Sequence, residues 1–249
     1  MKMKLSFSIA ALAVIAACDN VAEPTAPAAT ETAAAGAVSP EAPAPVGLYR
    51  DAATTATAAE AANIARAAAL APADGVTQVV ASGDAVFVKS FDGTKATASV
   101  YKFAADGQVA EQWTITEAQA ASPGAPMATA ADDAAESVNQ NAVINFVGKA
   151  INEQKVAEAV AAVVDPTVKY HGAKTADGVA AYTAVLAAKP AKSAYDVKVI
   201  IPQNDLVAVV SLMISGADPA TQKRAVMADV FRLSGGKIVE HWEIVQPEG

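Results

Sequence analysis

Apolar positions along this 249-residue chain recur with two different periods, and the change of period divides it into segments. Runs near 76–82, 85–91, 95–103 and 108–116 alternate apolar and polar residues and are separated by turn dipeptides such as Asp106-Gly107. Runs near 195–201, 206–215, 224–233 and 237–246 do the same, with Gly235-Gly236 before the last. Period two broken by such turns is the signature of an antiparallel meander. Ahead of the second set the spacing is helical: Ile144, Val147 and Ile151 within 133–151, then Val156, Val160 and Val163 within 153–164, stopped by Asp165-Pro166. A short extended piece, Val168 to His171, follows, and Asp177-Gly178 opens a third helix with Val179, Tyr182 and Leu186 on one face. The first set is preceded by one helical segment, about 51–70. Helices followed by a meander predict an α+β fold, with helices packed on one face of a curved antiparallel sheet.

The two meanders are similar in sequence. Val100-Tyr101-Lys102-Phe103 leads to Glu111-Gln112-Trp113-Thr114-Ile115, and Val230-Phe231-Arg232-Leu233 leads to Glu240-His241-Trp242-Glu243-Ile244. Asp84 to Val88 likewise pairs with Asp205 to Val209. The chain therefore reads as two tandem copies of one fold. The first copy, 47–117, is truncated and lacks most of its helices; the second, 133–249, is complete. Residues 118–132, with Ser122-Pro123-Gly124-Ala125-Pro126, read as a linker. Residues 19–46 are dominated by Ala, Pro, Thr and Glu, a composition that cannot bury a core and predicts an extended tether.

Composition sharpens this picture. The hydrophobic fraction is 53%, but 64 of the residues are alanine and only 5% are aromatic, so bulky side chains are scarce and each marks a core position. The net charge of −8, without a basic run, disfavours nucleic acid as a partner. A single cysteine excludes an internal disulfide framework and any cysteine-based zinc site, and two histidines are too few to replace it, so neither metal nor cofactor is expected. No Gly-x-Gly-x-x-Gly fingerprint, phosphate loop or serine nucleophile elbow is present.

The lone cysteine ends a distinctive leader. Lys2 and Lys4 precede a largely apolar run of thirteen residues, Leu5 to Ala17, too short to span a bilayer but suited to a secretory signal. Ile15-Ala16-Ala17-Cys18 resembles the bacterial lipobox. The resemblance implies removal of residues 1–17, lipidation of Cys18 and attachment to the membrane through the lipid anchor only, on the periplasmic side. Asp19 looks like an inner-membrane retention signal.

Strand alternation then nominates a site. On 224–233 one face carries Met227, Asp229, Phe231 and Leu233. A carboxylate in an apolar row has its pKa pushed upward, which suits a general acid/base, although a carboxylate bracing a neighbouring backbone reads equally well. On the last strand Ile238, Glu240, Trp242 and Ile244 share one face; Val239, His241, Glu243 and Val245 share the other. Trp242 reads as a core residue or as a wall of a pocket. His241, between carboxylates, reads as a surface or dimer contact.

The run from Asp229 through Phe231-Arg232-Leu233, Gly235-Gly236-Lys237-Ile238-Val239-Glu240-His241-Trp242 to Gln246 resembles the closing signature of SnoaL-like proteins, members of the nuclear transport factor 2-like superfamily of α+β cones. Tyr170-His171 and Asp177-Gly178 are loosely similar to earlier elements of that family, with Gly172-Ala173 where Asn-Pro is expected. The resemblance implies Asp229 as acid/base, His171 as its partner in the pocket, and Tyr170, Met227, Phe231 and Trp242 around a small apolar molecule. The first copy has Ser99 and Gln112 where the second has Asp229 and His241, so chemistry is expected only in the second. Three functions follow as expectations: binding of a small apolar molecule, a cofactor-independent isomerase or cyclase reaction, or a non-catalytic interaction module. The last would pair sheets as a homodimer or as an intramolecular pseudo-dimer, and a pocket filled by side chains would favour it.

Overall fold

The computed structural model describes residues 52–53, 56–71, 75–119, 133–190, 192–216, 218 and 221–247. The leader, Cys18, Asp19 and the tether lie outside the described residues, as does most of the linker.

Helix α1 (Ala58–Leu70) starts at Thr57. The Glu60 amide donates to the Thr57 hydroxyl and the Thr57 amide donates to the Glu60 carboxylate, a reciprocal cap that satisfies two otherwise orphaned donors. Strands β1 (Val76–Ser82), β2 (Ala85–Phe91), β3 (Lys95–Phe103) and β4 (Val109–Ala118) form an antiparallel sheet in chain order. Gly75 turns the chain into β1 at φ 73°, and a Cβ there would lie 2.4 Å from the Phe91 carbonyl oxygen. Glycine is the residue that tolerates both conditions.

In the second half, α2 (Asp133–Val147) runs into a π-helical stretch, Gly148–Asn152. Then come α3 (Val156–Val163), β5 (Val164–His171), β6 (Thr175–Asp177) and α4 (Val179–Ala187). The meander β7 (Ala194–Gln203), β8 (Leu206–Ser215), β9 (Lys223–Ser234) and β10 (Lys237–Pro247) completes it. The six strands lie in the order β6-β5-β10-β9-β8-β7. The sheet is mixed rather than antiparallel throughout, because β5 runs parallel to β10. Parallel neighbours need a long crossover, and β6, α4 and the first three meander strands supply it. Pro166 falls where β5 skips pairing, between Val164 opposite Ile238 and Lys169 opposite Glu240, so its missing N–H breaks no ladder bond.

Both meanders share a register: Val100 pairs with Trp113 as Val230 pairs with Trp242. The same face of each is then buried against the other. Val80, Phe87, Val100 and Ile115 of the first sheet pack on Leu206, Ala208, Val230, Trp242 and Ile244 of the second. Side chains bridge the two sheets: the Gln203 carbonyl accepts from the Ala81 amide at 2.7 Å, and Gln246 accepts from the Thr116 amide at 2.8 Å. The Gln119 amide nitrogen donates to the Glu243 carbonyl at 2.8 Å. α1 covers the far face of the first sheet through Ile64 and Ala67. The helices of the second half cover the inner face of its sheet, where Phe146, Val160, Tyr182 and Leu186 meet Val209, Met227 and Phe231.

Candidate functional site

One irregularity decides what reaches that inner face. In β10, Ile238 pairs with Leu233 and Glu240 with Arg232, so Val239 is an extra residue opposite a continuous β9. Such a bulge reverses the alternation beyond it. Ile238 therefore packs in the inner core, but Trp242 and Ile244 point outward to the first sheet. The expectation that Ile238, Trp242 and Ile244 share a face is corrected accordingly. His241, expected at the surface, is 2% exposed and projects inward.

Asp229 is 1% exposed. Its Oδ1 lies 2.9 Å from His241 Nε2, and His241 Nδ1 lies 2.9 Å from the Tyr182 hydroxyl. The three groups form a chain: an imidazolium donates at both ends, and a neutral imidazole allows two proton arrangements. Either Tyr182 donates to His241 and His241 donates to the carboxylate, or a protonated Asp229 donates and His241 donates to Tyr182. Phe231 stacks on the imidazole with centroids 4.2 Å apart, and Tyr170 and Tyr182 meet it edge-on. Beside this chain the Tyr170 hydroxyl donates to Glu243 Oε1 at 2.7 Å, and Lys189 binds Glu243 Oε2.

Burial pushes the Asp229 carboxyl above its ordinary value, a shift that the His241 hydrogen bond only partly offsets. Burial acts in the same direction on Glu243, but there Lys189, His241 and the Tyr170 hydroxyl outweigh it and hold the group below the usual carboxylate range. Two neighbouring carboxyls are thus driven apart, the arrangement that separates acid from base roles. Donor atoms of Asp229, His241 and Glu243 lie within 4.8 Å of one another. Both ring nitrogens of His241 and both oxygens of Glu243 are already engaged, however. Asp229 Oδ2 is buried and has no partner among the described residues.

The structure brings Asp229, Tyr170, Met227 and Phe231 into one inner core. It does not bring His171 or Trp242 there. His171 stacks on Trp242 with centroids 5.3 Å apart and its Nε2 lies 2.8 Å from Glu240 Oε1. Trp242 belongs to the core between the sheets. As partner of Asp229, His241 stands where His171 was expected, and the bulge at Val239 is the reason. Lys189, Tyr182 and Glu243 complete the network; their polar ends carry no spacing motif that would have singled them out. Aromatic side chains fill the core around Asp229. A groove of about 310 Å³ opens among the π-helical stretch, α3 and α4, lined among others by Ile151, Gln154, Val156, Leu186 and Lys189; Asp229 does not line it.

Residues 143–241 match the model of the SnoaL-like domain. No curated protein matches the chain. Among solved structures the chain is similar to a protein named as a ketosteroid isomerase from Kribbella flavida, with 16% identity over 45% of this chain and 80% of that one and a TM-score of 0.40. It is similar to one named as a SnoaL-like polyketide cyclase from Jannaschia, with 12% identity, 46% and 90% coverage and a TM-score of 0.42. A third is an LEH-like epoxide hydrolase from M. tuberculosis, with 14% identity, 44% and 84% coverage and a TM-score of 0.39.

Proposed function

We propose that this is a lipid-anchored protein of the bacterial envelope whose SnoaL-like domain takes up a small, mostly apolar molecule against Asp229. The observation that carries the binding reading is the Asp229 carboxylate itself: buried among aromatic rings, braced by His241 on one oxygen and without a partner among the described residues on the other. An unpaired buried acceptor costs about 1–3 kcal/mol, a penalty that folds retain where a function uses the atom. The core is closed around it, so uptake requires the groove beside Lys189 to open inward. The π-helical stretch borders that groove, and such departures from α geometry recur at functional sites.

A second reading is supported by the raised Asp229 pKa and the His241–Tyr182 chain behind it: a cofactor-independent isomerase or cyclase. The Asp229 carboxylate would take a proton from a carbon next to a carbonyl and return it to another atom of the same molecule. The side chains that fill the core around Asp229 favour a third reading, a non-catalytic interaction module forming an intramolecular pseudo-dimer, in which the first meander occupies the face that a second subunit would otherwise take.

Asp229→Asn keeps shape and an acceptor for His241 but cannot exchange a proton. Proton exchange at a ketone's α-carbon, followed by deuterium incorporation, should fall at least about a hundredfold in the variant if Asp229 is the base. Equal rates in both proteins sink the enzymatic reading. Membrane attachment is tested separately by Cys18→Ala, which should move the protein to the soluble fraction; continued attachment refutes the anchor.

A further inference from the structure

The two sheets are unequal: the second has six strands and the first has four. β1 lies against β7, where the Ala81 amide donates to Gln203, and β4 lies against β10, where the Thr116 amide donates to Gln246 and the Val245 amide to Glu117. The second sheet continues past β10 into β5 and β6, beyond the edge of the first. Thr167 and Lys169 of β5 are exposed there. In the second half, β5 flanks β10 and sets His171 beside Trp242. Trp113 is the counterpart of Trp242, but its strand, β4, is the edge of its sheet among the described residues.

An edge strand presents unpaired amides and carbonyls, and folds blunt such edges. Asn152 takes both outward backbone groups of Tyr195 on β7, Gln203 takes the outward amide of Ala81 on β1, and β6 is three residues long. β4 is blunted only toward its two ends. Ala110 is a bulge, because Glu111 pairs with Lys102 and Val109 with Phe103. The outward amide of Thr116 is taken by Gln246. The Gln119 amide, three residues on, points the other way, to the Thr94 carbonyl, so even-numbered residues of β4 turn outward and odd-numbered ones inward. Gln112 and Thr114 therefore offer two amides and two carbonyls outward, both residues are exposed, and no charge or proline interrupts the run from Gln112 to Ile115. The open stretch is symmetric about Trp113.

We propose that β4 is a homodimerisation edge, at which β4 of a second copy pairs antiparallel about Trp113 and continues the first sheet over β5. Symmetry selects a second copy as the occupant. Gln112 of each copy meets Thr114 of the other, so four backbone hydrogen bonds use every free group between the bulge and Gln246. The two Trp113 side chains then face one another at the close, non-hydrogen-bonded position on the dyad. Continuity supports the same occupant. Trp113 and Ile115 belong to the core between the sheets, and Trp113 is only half-buried at its present limit. The added strand extends that core over the outer side of β5. Charge is compatible as well: Glu111 falls opposite Ile115 rather than another acid, and the face being covered carries Lys169.

The full chain carrying Cys18→Ala tests this, since it allows one cysteine to be placed at will. In sedimentation velocity it should be mainly dimeric at about 100 µM, as a dissociation constant of about 10 µM or below requires. Adding Thr114→Pro should make it monomeric, because proline removes an outward amide while leaving the ladder to β3 intact. Under mild oxidation Trp113→Cys should form a disulfide-linked dimer at least about tenfold faster than Glu111→Cys, whose two sulfurs would sit about 14 Å apart, four residues of offset along the strand. A monomer at about 100 µM overturns the proposal. So does a dimer that persists in Thr114→Pro, which would place the interface elsewhere. Equal crosslinking of the two cysteine variants overturns the register and the dyad at Trp113, and decides the matter alone if Thr114→Pro does not fold.

Discussion

Lys89 offers the most direct test of how the two sheets meet. It lies on β2 opposite Gln78, on the face that also carries Phe87, and it is 1% exposed between the sheets. Burial depresses its amine from 10.5 to about 7, with Glu240 on the second sheet pulling weakly the other way and the Thr77 hydroxyl 3.5 Å from Nζ. In the unfolded chain the same amine titrates near its ordinary value. Between pH 7 and 10.5 the unfolded state therefore binds the extra proton, and stability rises with pH across that window. Below pH 7 both states are protonated and the penalty is present in full. At about 1.4 kcal/mol per tenfold change in proton affinity, the ceiling of the effect is about 5 kcal/mol. Lys89→Met keeps the stem length and removes the charge, so it should stabilise the protein at pH 7 and confer little advantage at pH 10. Urea unfolding of both proteins at pH 7, 8, 9 and 10 measures the gap. Parallel pH profiles would refute the reasoning, since they would mean that the amine keeps its ordinary proton affinity and reaches water.

Two further changes probe the two faces of the second sheet. Trp242→Ala empties the core between the sheets and should cost about 3–5 kcal/mol in urea unfolding; a loss below about 1 kcal/mol would place the indole outside that core. Lys189→Met strands Glu243 as a buried carboxylate without its cation and should cost about 3–5 kcal/mol near neutral pH, with Lys189→Met/Glu243→Gln restoring most of it. In the wild type the Glu243 contribution is present above the usual carboxylate range and lost as pH falls through its depressed value, so acid unfolding should shift to higher pH in the single variant.

The sequence was legible where its periods were local. The turn dipeptides place β1, β2, β3 and β8 at 76–82, 85–91, 95–103 and 206–215 as expected, and Asp229, Met227 and Phe231 share a face because β9 is regular. What escaped was non-local or turned on one residue. Nothing in Val164 to His171 announces that its partner is β10, parallel and more than sixty residues later. The bulge at Val239 leaves no mark in composition, yet it exchanges the environments of His241 and Trp242. His171 was then misplaced for a related reason: β5 alternates too, so with Tyr170 pointing inward its neighbour must point out, onto Trp242.

The burial of matching faces also explains why only one half carries the buried network of Asp229, His241 and Tyr182. Each meander has two faces, and the Trp113 and Trp242 faces are turned toward each other. Only the opposite faces remain for a site. In the second half that face lies under three helices, whose Tyr182 and Lys189 region supplies partners for His241 and Glu243. In the first half it lies under α1, and the positions equivalent to Asp229 and His241 are Ser99 and Gln112. Ser99 cannot hold a charge, and Gln112, across from Tyr101, is exposed on β4. Restoring the acid alone by Ser99→Asp would bury a carboxylate with no imidazole to receive, so the variant should lose stability in urea unfolding and gain no proton exchange. Ketone α-proton exchange in a Ser99→Asp/Asp229→Asn protein would contradict this division of labour.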